Sequence, residues 1–215
     1  MKIRFEILPL TPDRWKDVVE LFGPRGACGG CWCMWWRIPR REFEANKGAA
    51  NRRSFRRIVA SGEVPGLMAY HEGTPVGWCC VGPRERFPVL ERSRVLRRVD
   101  DLPVWSIVCF FIARPWRRRG VAAALVAGAV RHAFLRGAPA VEAYPVEPRG
   151  GTMPDAFAWT GVASLFRSAG FAEAARRSAA RSIMRRYRRS GAGRGRPIAR
   201  GSARATEGSA GKSCS

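Results

Sequence analysis

The sequence predicts a mixed α/β (α+β) domain, and three observations predict it. Short β-type runs alternate with helical stretches along residues 4–187. Two early runs are joined by Glu72-Gly73-Thr74-Pro75, a hairpin link, so the sheet begins antiparallel. A strand-helix-strand crossover over 103–144 then makes its two strands parallel neighbours. With 215 residues, 46% of them apolar, the chain can build one domain with a real core, and a disulfide-stapled miniprotein is excluded.

Arg4 to Leu8 reads as the first strand. Thr11-Pro12-Asp13 places a capping residue ahead of a first-turn proline and opens a helix through about Phe22. Gly23 to Trp36 is irregular, and Arg40 to Ala60 supports one or two helices broken near Gly48. Pro65 to His71 and Val76 to Val81 form the hairpin. Pro103 to Ala113 is a long strand rich in aromatic and branched residues, followed by a basic turn and a small-residue helix from Gly120 to about Arg136. Ala140 to Tyr144 is a strand, Ala163 to Ala169 a short helix stopped by Gly170, and Ser182 to Tyr187 a last strand.

From Arg188 onward the chain has seven basic residues, one acid and a single large aliphatic, Ile198. The reading is one domain over 1–187 and a disordered basic tail over 188–215. Apolar runs fall short of a membrane span, since Ser106 interrupts even the Val104–Ala113 stretch, and charges inside Met1 to Ile7 leave no signal-peptide core. A cytoplasmic, membrane-free protein is expected.

Thirty-nine basic against seventeen acidic residues give a net charge of +22, of which the tail carries +6 and the body +16. Such a balance suggests a nucleic-acid partner. The bias against lysine weakens that reading: only Lys2, Lys16, Lys47 and Lys212 are lysines, in a chain also rich in Ala, Gly and Pro, as an arginine-biased codon pool would give. Seven cysteines in a reducing compartment should be thiols or metal ligands.

The chemistry is carried by the turn Arg114-Pro115-Trp116-Arg117-Arg118-Arg119-Gly120 and the helix that opens with Val121-Ala122-Ala123. A helix N-terminus leaves backbone N–H groups free and carries partial positive charge, and Gly120 and Ala122 let an anion approach the main chain. Arg117, Arg118 and Arg119 add full charges. On residue types alone the turn is either a phosphate site or a solvated cap.

The spacing of Arg117, Gly120 and Ala122 resembles the pyrophosphate loop of the GNAT acyltransferase superfamily, with Ile112 before the loop, Leu125 on the helix and the pair Gly170-Phe171 in agreement. The resemblance covers about residues 3–187. It implies a GNAT-like mixed sheet whose central parallel strands splay to admit the pantetheine arm of acetyl-CoA. It also implies hydrogen bonds to that arm from the backbone of Phe110, Phe111 and Ile112, and a pyrophosphate cradle from the amides of Arg118, Arg119, Gly120, Val121, Ala122 and Ala123. A backbone N–H near Phe110 would stabilise the developing oxyanion, and the acetyl group would pass directly to an acceptor amine. A homodimer is among the assemblies expected.

The sequence departs from that family in two places. Val104 to Phe110 lacks the glutamate that many relatives carry on the long strand, and Phe166 stands where the family's tyrosine acid is usual. The replacements expected are Tyr144 as acid and Glu142 as base, two residues apart on the next strand. Ser164 is expected near the cofactor thiol or pantetheine. Loss of both usual groups keeps a noncatalytic acyl-CoA-binding module as an alternative, with a basic nucleic-acid binder as a third.

Cys28-Gly29-Gly30-Cys31-Trp32-Cys33-Met34-Trp35-Trp36 holds three thiols and three tryptophans. Its Cys-x-x-Cys pair invites zinc, but a fourth ligand would have to come from Cys79, Cys80, Cys109 or His71, so no metal is expected. The aromatic residues either wall the acceptor pocket or pack. Trp78, Cys79 and Cys80 read as core, and Arg84 as a residue near the cleft mouth.

Overall fold

The computed structural model describes residues 3–147 and 159–189. The tail expected from Arg188 lies outside these residues beyond Arg189. Seven strands form one sheet in the order β1-β2-β3-β4-β5-β7-β6. They are β1 (Glu6–Pro9), β2 (Gly66–His71), β3 (Thr74–Pro83), β4 (Trp105–Ile112), β5 (Ala140–Ala143), β6 (Ala172–Ser178) and β7 (Arg181–Tyr187). The helices are α1 (Trp15–Phe22), α2 (Arg40–Ala45), α3 (Ala49–Ala60), α4 (Pro88–Arg92), α5 (Val121–Leu135) and α6 (Ala163–Ser168). Among the described residues no helix is long and apolar enough to cross a membrane.

All neighbouring strands are antiparallel except β4 and β5, which the α5 crossover makes parallel. β2 and β3 are buried on both faces, so their sequences are nearly continuous apolar runs: Leu67-Met68-Ala69-Tyr70 and Val76 to Val81, with Trp78, Cys79 and Cys80 fully enclosed. One face packs against α5 and α6 through Leu67, Cys79, Ile107, Phe110, Leu125, Ala129, Phe166 and Met184. The other packs against the N-terminal helices and the Cys/Trp loop through Val18, Phe22, Trp32, Trp36, Phe55, Trp78, Val108 and Tyr144. Small residues let α5 lie close on the sheet: a Cβ on Gly77 would sit 2.6 Å from Val121 Cγ1, and one on Gly128 2.5 Å from Ile7 Cγ2.

Two elements escape the sequence reading. β6 has no branched or aromatic residue in Ala-Glu-Ala-Ala-Arg-Arg-Ser; it forms because it is the sheet edge, paired with β7 across the Ala179-Ala180 turn. The short α4 is fixed by Leu90, buried beneath it, and by a proline in its first turn.

Candidate active site

The pairing of β4 with β5 stops early. Trp105, Ser106 and Ile107 face Val141, Glu142 and Ala143, and no β4–β5 pair follows among the described residues. On the other side of β4, Cys80 pairs with Cys109 while the adjacent Val81 pairs with Ile107, so Val108 is the extra residue of a β-bulge. Val108 and Cys109 consequently both pack toward the face that carries the Cys/Trp loop. The strands part at this bulge. Beyond it, Val146 pairs with Arg181 on one side and with Val162 on the other. The Thr160–Val162 segment thereby reaches the β4 side of β5, and a Cβ on Gly161 would lie 3.4 Å from the Phe110 ring.

The loop after β4 is built as the residue pattern requires. Arg114–Trp116 makes a 3-10 turn, Arg118 takes a left-handed φ of 60°, and Gly120, at φ 89° and ψ 0°, is the N-cap of α5. The first α-helical bond there runs from Ala124 N to Gly120 O. The amides of Val121, Ala122 and Ala123 consequently have no intrahelical acceptor, and no side chain caps them. Arg117, Arg118, Arg119 and Gly120 are exposed. Arg117 Nε donates to the Ile112 carbonyl at 3.3 Å, tying the end of the strand to the loop, and the Arg119 guanidinium lies over Trp116.

These features fit a phosphorylated cofactor with an arm in the gap. The β4 strand offers Phe110, buried, and Phe111 and Ile112, half-buried, beyond the last β4–β5 pair. Thr160 is buried beside the gap with its hydroxyl unpartnered, a polar group that an amide of such an arm would satisfy. Ser164 is exposed on α6, and Phe166 is fully buried against Phe110 and Phe171.

Tyr144 and Glu142 are brought together at the start of the gap, in an enclosed ionic cluster. Tyr144 Oη donates to Glu142 Oε2 at 2.8 Å, accepts from Arg84 Nη1 at 2.7 Å and lies 2.7 Å from Ser106 Oγ. The same Glu142 oxygen receives Arg84 Nη1 at 3.0 Å, and its other oxygen receives Arg185 Nη2 at 2.6 Å and Nε at 3.1 Å. Arg84 also binds Glu91 and the Leu96 carbonyl, and Arg185 binds Asp100. Tyr144 and Glu142 are 0% and 1% exposed. Burial, with Glu142 adding to it, holds the Tyr144 hydroxyl well above its ordinary range, although Arg84 and Ser106 pull the other way.

This geometry departs from the roles the sequence suggested. The Tyr144 proton is directed back along the strand at Glu142, away from the gap, and Glu142 has both oxygens saturated by guanidinium groups. Arg84 is likewise an enclosed ion-pair member, 1% exposed, where the sequence reading put it near the cleft mouth. Ser106, Arg185 and Asp100 had no sequence signal; a serine on a strand and one arginine among many look alike whether buried or exposed.

The Cys/Trp loop divides between packing and the site. Trp32 is buried against Trp15 and Phe22. Trp36 donates its indole N–H to the Val108 carbonyl and, with half-buried Trp35, meets Trp159. Cys33 accepts the Trp78 indole N–H at 3.0 Å. Burial raises the thiols of Cys31, Cys79 and Cys80, and hydrogen bonding to Cys109 raises Cys33 further, so these are poor nucleophiles. Among the described residues no group of three or more His, Cys, Asp or Glu could hold a metal ion.

The family model of the acetyltransferase (GNAT) family matches residues 32–150. The chain belongs to the GNAT acetyltransferase family. Among solved structures, a GNAT-family acetyltransferase from Listeria monocytogenes is similar in fold, with TM-score 0.53, 9% identity, 86% of this chain covered and 95% of that one. The histone acetyltransferase HPA2 and related acetyltransferase from Corynebacterium glutamicum is similar with TM-score 0.51 and 17% identity, over 88% of this chain and 99% of the other. Both likenesses concern the fold alone. No curated protein matches the chain significantly in sequence. Membership of this family supports acyl transfer from an acyl-CoA in general.

Proposed function

We propose that this GNAT protein is an N-acetyltransferase that passes the acetyl group of acetyl-CoA directly to an amine. The observation that carries the reading is the loop from Arg117 to Ala123: helix amides without acceptors, a left-handed glycine cap and exposed arginines, at the end of a strand that has parted from its neighbour. Acetyl-CoA supplies the activated thioester. The amides of Arg118 to Ala123 cradle its pyrophosphate, with Arg117, Arg118 and Arg119 adding charge. The gap-side backbone of Phe110, Phe111 and Ile112 holds the arm, and Ser164 and Thr160 are the polar side chains assigned to contact it.

In this reading Tyr144 and Glu142 are positioning residues. Arg84 and Arg185 clamp Glu142, and Glu142 holds the hydroxyl of Tyr144, the first residue after β5. The acceptor amine, with a pKa near about 10, then loses its proton to water and not to a carboxylate of the gap. The same observations favour a second reading, a binding module without turnover, because Phe166 and the committed Tyr144 and Glu142 leave no obvious acid or base.

Release of free CoA thiol from acetyl-CoA, followed across a panel of primary amines, tests the two. Amine-dependent thiol release with a matching acetylated product supports the transferase. Tight acetyl-CoA binding without turnover of any amine supports the module.

A further inference from the structure

The face of β7 that packs toward Tyr144 carries an arginine that the mechanism does not use. Along β7, Ile183 packs in the cluster with Tyr144 and Trp36, Met184 in the opposite one with α5, and Arg185 again meets Glu142. Alternation therefore puts Arg181 on the Tyr144 side of the sheet. Its backbone pairs with Val146, two residues beyond Tyr144, where β5 has already left β4.

The Arg181 guanidinium is part-buried, and its one hydrogen bond among the described residues is from Nη1 to the Tyr144 carbonyl at 3.3 Å. It has no carboxylate partner among them. The contrast with its neighbours is direct: Arg84 meets Glu91 and Glu142, and Arg185 meets Glu142 and Asp100. Glu147, adjacent to Val146, is held instead by Arg176 and Arg167. Desolvation alone acts on Arg181, lowering its proton affinity, with no acid to offset it. A part-desolvated cation carrying unused planar donors is costly unless an anion completes it.

We propose that Arg181 receives the carboxylate of the acceptor, so that the acceptor is a primary amine bearing one carboxylate, of the amino-acid class. One uncompensated positive charge matches one negative charge, and the guanidinium fork suits a planar carboxylate. Trp35, Trp36 and Trp159 meet one another on the same face, with Trp159 three residues before Val162. The inference rests on the transferase reading for its amine and on the Arg181 environment for its acid.

The test compares N-acetylphenylalanine with N-acetylphenylalaninamide, two unreactive product analogues differing in charge, by calorimetry with CoA present. The wild-type protein should bind the acid at least about tenfold more tightly, as a charge-assisted guanidinium–carboxylate pair provides. Arg181→Met should bring the ratio close to one, and Arg181→Lys should keep part of it. Equal binding, binding of neither, or a preference that survives Arg181→Met overturns the proposal. Turnover of acetyl-CoA with phenylalanine is measured in parallel. An acid preference without turnover of phenylalanine or of any amine in the panel upholds Arg181 as the carboxylate site and removes the transferase reading alone.

Discussion

The indole N–H of Trp36 donates to the carbonyl oxygen of Val108 at 2.9 Å, across 72 residues of sequence. Val108 is the extra residue of the β4 bulge and the first after the β4–β5 pairing ends, so this carbonyl has lost its strand partner. A buried carbonyl left alone costs on the order of 1–3 kcal/mol. The Cys/Trp loop therefore closes the ladder at the point where the sheet opens. Trp36→Phe removes the donor together with a small part of the ring. Thermal unfolding should show a loss of about 2–12 °C, as that penalty implies for a domain of this size. An unchanged melting temperature would show that the bond contributes nothing.

The ionic cluster makes a second prediction. Glu142→Leu leaves Arg84 and Arg185 buried without their shared carboxylate, a change that costs about 3–5 kcal/mol when one partner of a buried pair is removed. Denaturant titration should show that loss. Tyr144→Phe should be milder, about 1–3 kcal/mol, and should change kcat by less than about tenfold. A fall in kcat near about 10²-fold at intact acetyl-CoA affinity would instead restore Tyr144 as a general acid.

Gly120 tests the loop. A Cβ there meets nothing within 4 Å, but φ 89° is unfavourable for a branched residue. In Gly120→Val the protein itself does not block the side chain; the arriving phosphates do. Acetyl-CoA affinity should fall at least about tenfold, a loss of about 1.4 kcal/mol. Wild-type affinity in the variant would show that the cradle lies elsewhere.

Much of the architecture was legible because its signals are local. The hairpin link at 72–75, the branched run of β4 and the small-residue face of α5 declare themselves in sequence, and so does the Arg117, Gly120, Ala122 spacing of the loop. β6 was not legible, because an edge strand of alanine and charged residues owes its state to β7 and has no propensity of its own. The ionic cluster was hidden for another reason. Burial of a charge is a tertiary property, and in so arginine-rich a chain nothing in the sequence separates Arg84, Arg181 and Arg185 from their solvated neighbours. Tyr144 and Glu142 were singled out by their place along and just after β5, and they are hydrogen-bonded to each other. Their tasks depend on Arg84, Ser106 and Arg185, which only the fold brings to them.

The protonation route predicts a pH profile. An amine with a pKa near about 10 gains neutral form roughly tenfold per pH unit below that value. With Glu142 committed to two guanidinium groups, kcat/KM should climb with a slope near one between about pH 7 and 9 for such an acceptor. A plateau beginning near neutral pH would reveal a protein base that this arrangement does not contain.

Titration calorimetry of the full chain with acetyl-CoA is the most direct test of the account, because the splayed strands and the basic loop are both assigned to that one ligand. The expected result is one acetyl-CoA per chain, displaced by free CoA, with binding that weakens in Gly120→Val. Absence of binding at millimolar acetyl-CoA by the folded protein would contradict the account.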